Sequence, residues 1–389
     1  MKKIFLFILL FVCGITIGIL TPQFIPKDYP LLSPLGLVEH TDQKPLKIVG
    51  FMPFWLINKL ASSYDNQINE FSYFDLIIDK DGSIRKLANP QEEEPGWTTL
   101  KSNSQLSTRL KTANENKIGL SLVVFSGETE TIKQLIVNPE ESAANLVSDV
   151  TSIMQQYGFT DLNLDIENIE NTTQDKRDLF TRFVKAVKSG MVKNNLGTLT
   201  VDIQGISLFQ PYLTDPQKMG EIADFVLLMT YDYHYPGSLL AGPVAPLGGA
   251  GEERVFDVNL TLKAALAQIP KEKIILGIPL YGYEWNTVDN FPGAPAIPGT
   301  GVIASNNRVS ELLKSCLNCT KQTDKVSLEP FLIFPEETHY HQIFYEDNAA
   351  IKSKLELASK SKISGVAFWA LGYEATNDLS GFSNYLLSN

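Results

Sequence analysis

One pattern limits the fold more than any other: eight short apolar runs separated by stretches of helical periodicity. The runs are Lys47–Met52, Phe74–Asp79, Ile118–Phe125, Asp161–Glu167, Thr198–Ile203, Asp224–Met229, Lys273–Pro279 and Gly365–Trp369. Between them, Leu146, Val147, Val150, Ile153, Met154 and Tyr157 share a helical face, as do Leu179, Phe180, Phe183, Val184 and Val187. Strands that alternate with helices pair in parallel, and eight such units predict an α/β fold, a (β/α)8 TIM barrel over residues 46–389. The spacing breaks once. Leu280 to Ser364 is 85 residues, too long for one crossover, and predicts a small α+β insertion between strands 7 and 8, at about residues 280–345. A doubly wound open sheet is the alternative, but no glycine-rich phosphate fingerprint follows the first run.

What precedes the barrel reads differently. Lys2 and Lys3 lead into Ile4–Leu20, seventeen residues without a charge, so residues 1–20 read as an export signal or a short membrane anchor. The uncleaved anchor is favoured, because Gly14–Pro22 contains no alanine for an A-x-A-like cleavage site. Prolines at 22, 26, 30, 34 and 45 make residues 21–45 a stiff, extended spacer. The expected location is therefore exported: anchored on the outer face of the cell membrane, with the lysines inside, or secreted. Acidic residues outnumber basic ones, 44 to 33, and the net charge of -11 opposes nucleic acid as a partner. Three cysteines are too few for a disulfide scaffold or a four-cysteine zinc module. In an exported chain Cys316 and Cys319 are expected to form a local disulfide, with two free thiols as the alternative.

A TIM barrel carries its chemistry at the C-terminal ends of its strands, and the fourth run is informative there. Side chains alternate along a strand, so Asn163, Asp165 and Glu167 share the interior face while Leu162, Leu164 and Ile166 meet the helices. Two carboxylates two residues apart repel one another, so one is expected to keep a proton near neutral pH and serve as a general acid. Of the four tryptophans, Trp55, Trp285 and Trp369 fall at or just past strand ends, where their faces could stack on the apolar face of a ligand; Tyr231 and Tyr281 add hydroxyls beside aromatic bodies. His339 and His341 read either as an alternating strand face or as a metal pair, and no H-E-x-x-H, G-x-S-x-G or phosphate loop appears. No metal and no organic cofactor is implied.

The stretch Gly158-Phe159-Thr160-Asp161-Leu162-Asn163-Leu164-Asp165-Ile166-Glu167-Asn168 resembles the fourth-strand signature D-G-x-D-x-D-x-E of glycoside hydrolase family 18, the chitinase-like enzymes. Asp165 stands at its last aspartate and Glu167 at its catalytic glutamate. Thr160, Asp161 and Asn163 depart from the first Asp, the Gly and the middle Asp. The G-x-N-x-D-x-E-N form is similar to the bacterial branch that includes spore-cortex and peptidoglycan N-acetylglucosaminidases. Met229-Thr230-Tyr231-Asp232 resembles the sixth-strand M-x-Y-D motif, Lys273–Tyr283 the seventh strand before the family's inserted subdomain, and Gly365–Gly372 the eighth strand. Ser121–Phe125 lacks the third-strand S-x-G-G.

The resemblance implies a retaining glycoside hydrolase that uses the substrate's own N-acetyl group in place of a second carboxylate. Glu167 would be the proton donor, Asp165 would orient the acetamido nitrogen, and Tyr231 would hold its carbonyl. Asp232 would assist Tyr231, Trp369 would floor the sugar, and Asn163, Trp55, Tyr281 and Trp285 would complete the binding surface. The implied partner is an N-acetylated polysaccharide or oligosaccharide, with chitin and peptidoglycan both open. The alternative is a weak or inactive chitinase-like glycan-binding protein.

Overall fold

The computed structural model describes residues 45–385 apart from 62–63, 65–66, 169, 252–254, 317 and 375–378. The expected anchor and all but the last residue of the expected spacer lie outside the described residues. Among the described residues no helix is long and apolar enough to cross a membrane.

Eight parallel strands close a barrel: β1 (Lys47–Pro53), β2 (Glu70–Ile77), β3 (Gly119–Ser126), β4 (Asp161–Ile166), β5 (Thr198–Gln204), β6 (Phe225–Met229), β7 (Ile274–Pro279) and β8 (Gly365–Trp369). Closure is made where β1 pairs with β8 in the register Lys47↔Gly365. All eight expected runs are strands. The second begins at Glu70, four residues earlier than its apolar run suggested, because Glu70 and Ser72 are polar residues pointing into the barrel. The fourth stops at Ile166 and leaves Glu167 just beyond the strand, its N–H still donating to Ser126 O at 2.8 Å.

The period of two sorts the apolar residues into two layers. Val49, Phe51, Phe74, Val123, Leu227, Ile275 and Ala367 pack together inside the barrel. Their neighbours Ile48, Met52, Leu122, Val124, Val226, Leu228, Leu276 and Phe368 belong instead to the large core between strands and helices. The helices flanking β4 present the faces expected of them. Pro139–Tyr157 buries Leu146, Val147, Val150, Ile153 and Met154, and ends on Gly158 in the left-handed conformation (φ 78°). Gln174–Asn194 buries Phe180, Phe183, Val184, Val187 and Met191.

Between β7 and β8 an antiparallel five-stranded sheet is inserted, in the order Val302–Ser305, Tyr281–Thr287, His339–Tyr345, Pro330–Glu336, Thr320–Thr323, with the helix Asn306–Ser315. Cys316 and Cys319, just past that helix, form a disulfide with their Cα atoms 5.6 Å apart.

The lower end of the barrel interior is polar. Asp161 is buried and accepts hydrogen bonds from Ser121 Oγ (2.7 Å), Thr198 Oγ1 (2.6 Å) and Thr200 Oγ1 (3.1 Å), near the Lys47–Glu70 ion pair of 2.8 Å. Asp161→Ala should therefore cost about 1–3 kcal/mol by leaving buried hydroxyls unpaired. Burial and the nearby Glu70 push the Asp161 carboxyl up to about 7, whereas an unfolded aspartate titrates near 4. Folded protein binds more protons at this site, so its contribution is full below about pH 4 and is lost as pH rises through about 7. Chemical denaturation of wild type and Asp161→Ala should show a larger stability gap at pH 5 than at pH 8; a gap that widened with pH would contradict this account.

Candidate active site

The upper end of the barrel gathers carboxyls. β4 sends Asn163 and Asp165 inward at 2% and 5% exposure, and Glu167 follows at the rim, half-buried. β5 repeats the alternation: Leu199, Val201 and Ile203 face the helices while Thr200, Asp202 and Gln204 face inward. Asp202 is buried beside Asn163, whose amide hydrogen-bonds it, and Gln204 Nε2 donates to Glu167 Oε2 at 3.1 Å. β2 adds Asp75, also buried. It reaches the interior through a bulge, since Tyr73 pairs with Leu122 and Leu76 with Val124, three residues of β2 advancing against two of β3.

The electrostatics follow from this crowding. Burial, then the charges of Glu167, Asp202 and Asp75, push the Asp165 carboxyl well up. Asp202 is likewise raised by burial, against the Asn163 hydrogen bond. Asp75 is pushed up to about 7 by burial and by Glu94. Glu167 is raised by burial and held back by the Gln204 hydrogen bond. Asn163 Oδ1, Asp165 Oδ1 and Asp202 Oδ1 are enclosed without a protein donor. A proton retained on Asp165 or Asp202 would supply one, and mutual repulsion favours that state. The cluster is thus built to hold protons, with Glu167 as its member at the rim.

Tyr231 follows β6 and lies over β7 where β7 has no side chain: a Cβ on Gly277 would sit 2.8 Å from Tyr231 Cε1. Burial raises its hydroxyl pKa well above the usual range, and Asp165, Asp202, Glu167 and Asp232 add to the shift. The phenol stays protonated and can donate. Asp232, in the left-handed backbone conformation (φ 60°), opens to solvent at the mouth. Its Oδ1 accepts from Tyr281 (2.6 Å) and Tyr283 (2.8 Å); surrounding protein still raises the carboxyl by desolvation, which those two bonds oppose.

The aromatic residues divide. Trp369 ends β8 half-buried, edge-on to Phe74 (4.7 Å), Phe51 (5.4 Å) and Trp55 (6.5 Å). Trp55, 45% exposed, forms the outer lip. These two can meet a sugar. Trp285 cannot: it is 0% exposed, packed with Tyr283 in the inserted sheet, and its indole N–H points to Tyr235 O at 3.3 Å. The expectation that it offers a free face is corrected. The inserted sheet is covered on the face that carries it. Tyr281 and Asn163, each 2% exposed, are also enclosed; Tyr281 donates to Asp232, and the Asn163 amide hydrogen-bonds Asp202. Asp75, Asp202 and Gln204 were not singled out in the sequence. For Asp202 and Gln204 the alternation of β5 carried the signal; for Asp75 the bulge hid it.

The comparisons with known proteins concern the family and the fold. The family described as Glycosyl hydrolases family 18 matches residues 64–374. The cortical fragment-lytic enzyme of Bacillus subtilis (strain 168) is 26% identical over 255 residues, 63% of this chain and 54% of that protein. The putative sporulation-specific glycosylase YdhD of the same organism is 25% identical over 249 residues, 62% of this chain and 54% of that one. This chain thus spans about half the length of these curated relatives. Among solved structures, the Bacillus cereus spore cortex-lytic enzyme SleL superposes with a TM-score of 0.68 at 18% identity, over 90% of this chain and 76% of that one. The Ostrinia furnacalis Group IV chitinase in complex with allosamidin gives 0.73 at 20% identity, over 89% and 98%. With the family match spanning the barrel from before β2 to beyond β8, the chain belongs to glycosyl hydrolases family 18.

Proposed function

We propose that the chain is a retaining hydrolase of β-linked N-acetylglucosamine glycans, with Glu167 as proton donor and the substrate's 2-acetamido group as nucleophile. The observation that carries this reading is the order of the carboxyls: Glu167 at the rim with a raised pKa, Asp165 buried beneath it, and Asp202 and Asp75 packed behind. Asp165 is deeply enclosed, and Asp232 has its Oδ1 held by two tyrosine hydroxyls. This arrangement suits the substrate-assisted route of the family, in which the attacking oxygen comes from the substrate. Glu167 protonates the departing glycosidic oxygen while the acetamido carbonyl closes on the anomeric carbon. Asp165 accepts the acetamido N–H, and Tyr231 donates to the carbonyl oxygen. Water activated by the now ionised Glu167 then opens the oxazolinium with overall retention. Trp369 floors the ring and Trp55 extends the surface.

The substrate class narrows by chemistry and by relatives. A 2-acetamido sugar is required on the reacting side. The names cortical fragment-lytic enzyme and sporulation-specific glycosylase favour peptidoglycan glycan strands over chitin as this chain's substrate. Attachment to the outer face of the membrane through residues 1–20 would hold the barrel against such a polymer, with residues 21–45 as a spacer of up to roughly 80 Å. Fractionation of producing cells should find the chain with the membranes; recovery of a mature form starting near Thr21 from the medium would mean a cleaved signal instead.

Glu167→Gln should lower kcat by two or more orders of magnitude, with glycan binding retained, as loss of a general acid requires. Reducing-end assays on purified peptidoglycan and chitin oligosaccharides measure this and decide between the two polymers. Near-normal turnover by Glu167→Gln, or a covalent glycosyl-enzyme trapped on any Asp or Glu, would defeat the mechanism. Inactive wild type that still binds both polymers would identify a glycan-binding protein.

The pH profile gives an independent check. The donor must be protonated, so kcat/KM should fall as pH rises through the raised Glu167 pKa. Gln204 stabilises the ionised form, hence Gln204→Met should move that falling limb to higher pH. An unmoved or downward-shifted limb would show that another group controls it.

A further inference from the structure

Away from the barrel mouth, the inserted sheet brings together a set of side chains that the hydrolytic site does not use. We propose that Glu336, His339 and His341 form a binding site for a divalent cation of the zinc class. Their candidate ligand atoms all lie within 4.8 Å of one another. The strands Pro330–Glu336 and His339–Tyr345 are antiparallel neighbours, with Glu336 opposite His339 and Phe334 opposite His341. Both imidazoles therefore project from the same face of one strand, and the carboxylate rises from the next strand on that face. The backbone register itself sets the spacing.

Two further observations point to a ligand. His341 Nδ1 lies 2.8 Å from Glu284 Oε1, and Glu284, buried, is gripped through its other oxygen by Arg308 Nη2 at 2.6 Å. A carboxylate on one ring nitrogen fixes the tautomer and aims the other nitrogen, the arrangement that supports metal-binding histidines. The Phe334 ring stacks on His341 at 4.7 Å with planes 2° apart, which sets the ring's orientation. The second observation is His339 Nε2. It is enclosed, makes no hydrogen bond, and stands 3.6 Å from Glu336 Oε2.

Ordinary ion pairing explains part of this geometry, since Glu336 also contacts His341 Nε2. It leaves His339 Nε2 enclosed and, at 3.6 Å from Glu336 Oε2, beyond hydrogen-bond distance. A cation bound by both Nε2 atoms and a carboxylate oxygen would use all three groups, with water completing a four-coordinate shell. Zinc ligands at about 2.0–2.2 Å from the metal stand a little over 3 Å apart, close to the His339–Glu336 separation. The Glu336 side chain, 57% exposed, can turn to open its contact with His341. Two imidazoles and one carboxylate suit zinc, nickel or copper and do not suit calcium or magnesium, which take oxygen donors. The cation would tie two strands together and, through Glu284, brace the strand that carries Tyr281 and Tyr283. The site stands whether or not the chain proves to be a hydrolase.

The test is calorimetric titration of zinc chloride into the chelator-treated, untagged full-length chain. One equivalent should bind, with a rise of a few degrees in Tm at saturation. His341→Ala and His339→Ala should each abolish both signals. Glu284→Gln, which touches no metal in this scheme, should weaken binding by about 10–100-fold. Cobalt in place of zinc should give the visible bands of a four-coordinate site in wild type and not in His339→Ala. Absence of zinc binding by wild type, or equal binding by wild type and both histidine variants, would overturn the proposal. A Glu284→Gln variant that bound zinc as tightly as wild type would remove Glu284 from it.

Discussion

A closed parallel barrel drives every second side chain of each strand into a narrow interior that water barely enters. Here that constraint acts on carboxyls. Asp165, Asp202 and Asp75 are each nearly inaccessible, and the charges that act most strongly on Asp165 are other carboxylates. Ionising all of them would place several like charges in a medium that screens poorly, so protons stay bound. The interior therefore favours the protonated form of its carboxyls, with Glu167 at its rim. Its polarity runs through the whole length of β4: Asp161 is satisfied by three hydroxyls at the bottom, while Asp165 near the top retains an oxygen with no protein donor.

That gradient also accounts for Asn163. In the family signature the middle position is an aspartate, and here it is the amide of Asn163. The adjoining strand supplies a carboxyl in its place. Asp202 enters from β5 and takes the Asn163 amide as its hydrogen-bond donor, so a carboxyl still stands beside Asp165. The amide can donate to one neighbour without adding a fifth charge to the cluster. A second aspartate at 163 would have to be neutralised in the same enclosed space.

How much of this was legible depends on local regularity. The barrel was readable because eight strands kept their period and the helices Pro139–Tyr157 and Gln174–Asn194 kept theirs. The placement of Glu167, Asp165, Tyr231 and Trp369 toward one end of the barrel was readable because they sit at strand ends within recognisable motifs. Thr198 to Gln204 alternates as cleanly as β4, yet its single acid beside threonines carried no motif to draw notice. Asp75 lay beyond any periodic argument, since the bulge in β2 turns both Phe74 and Asp75 inward. The exposure of Trp285 was misjudged for a different reason. A position just after a barrel strand is normally at the open mouth, but here the chain continues at once into another sheet, and that sheet packs over its own aromatics.

The inserted sheet consequently does more than cap one side of the barrel. Asp232 adopts a left-handed backbone conformation, which aspartate tolerates better than most residues, and this turns its carboxylate toward Tyr281 and Tyr283. Both hydroxyls come from the strand that begins two residues after β7 ends. Tyr231, the neighbour of Asp232, meanwhile rests on Gly277 within β7. One stretch of chain, residues 274–287, therefore supplies the flat seat for the tyrosine and the clamp for the aspartate. Any side chain at 277 would lift the first, and any shift of the inserted sheet would loosen the second. The position of the Tyr231–Asp232 wall relative to Glu167 is thus set jointly by the barrel and the insertion, and a barrel with the carboxyl cluster alone would lack that wall.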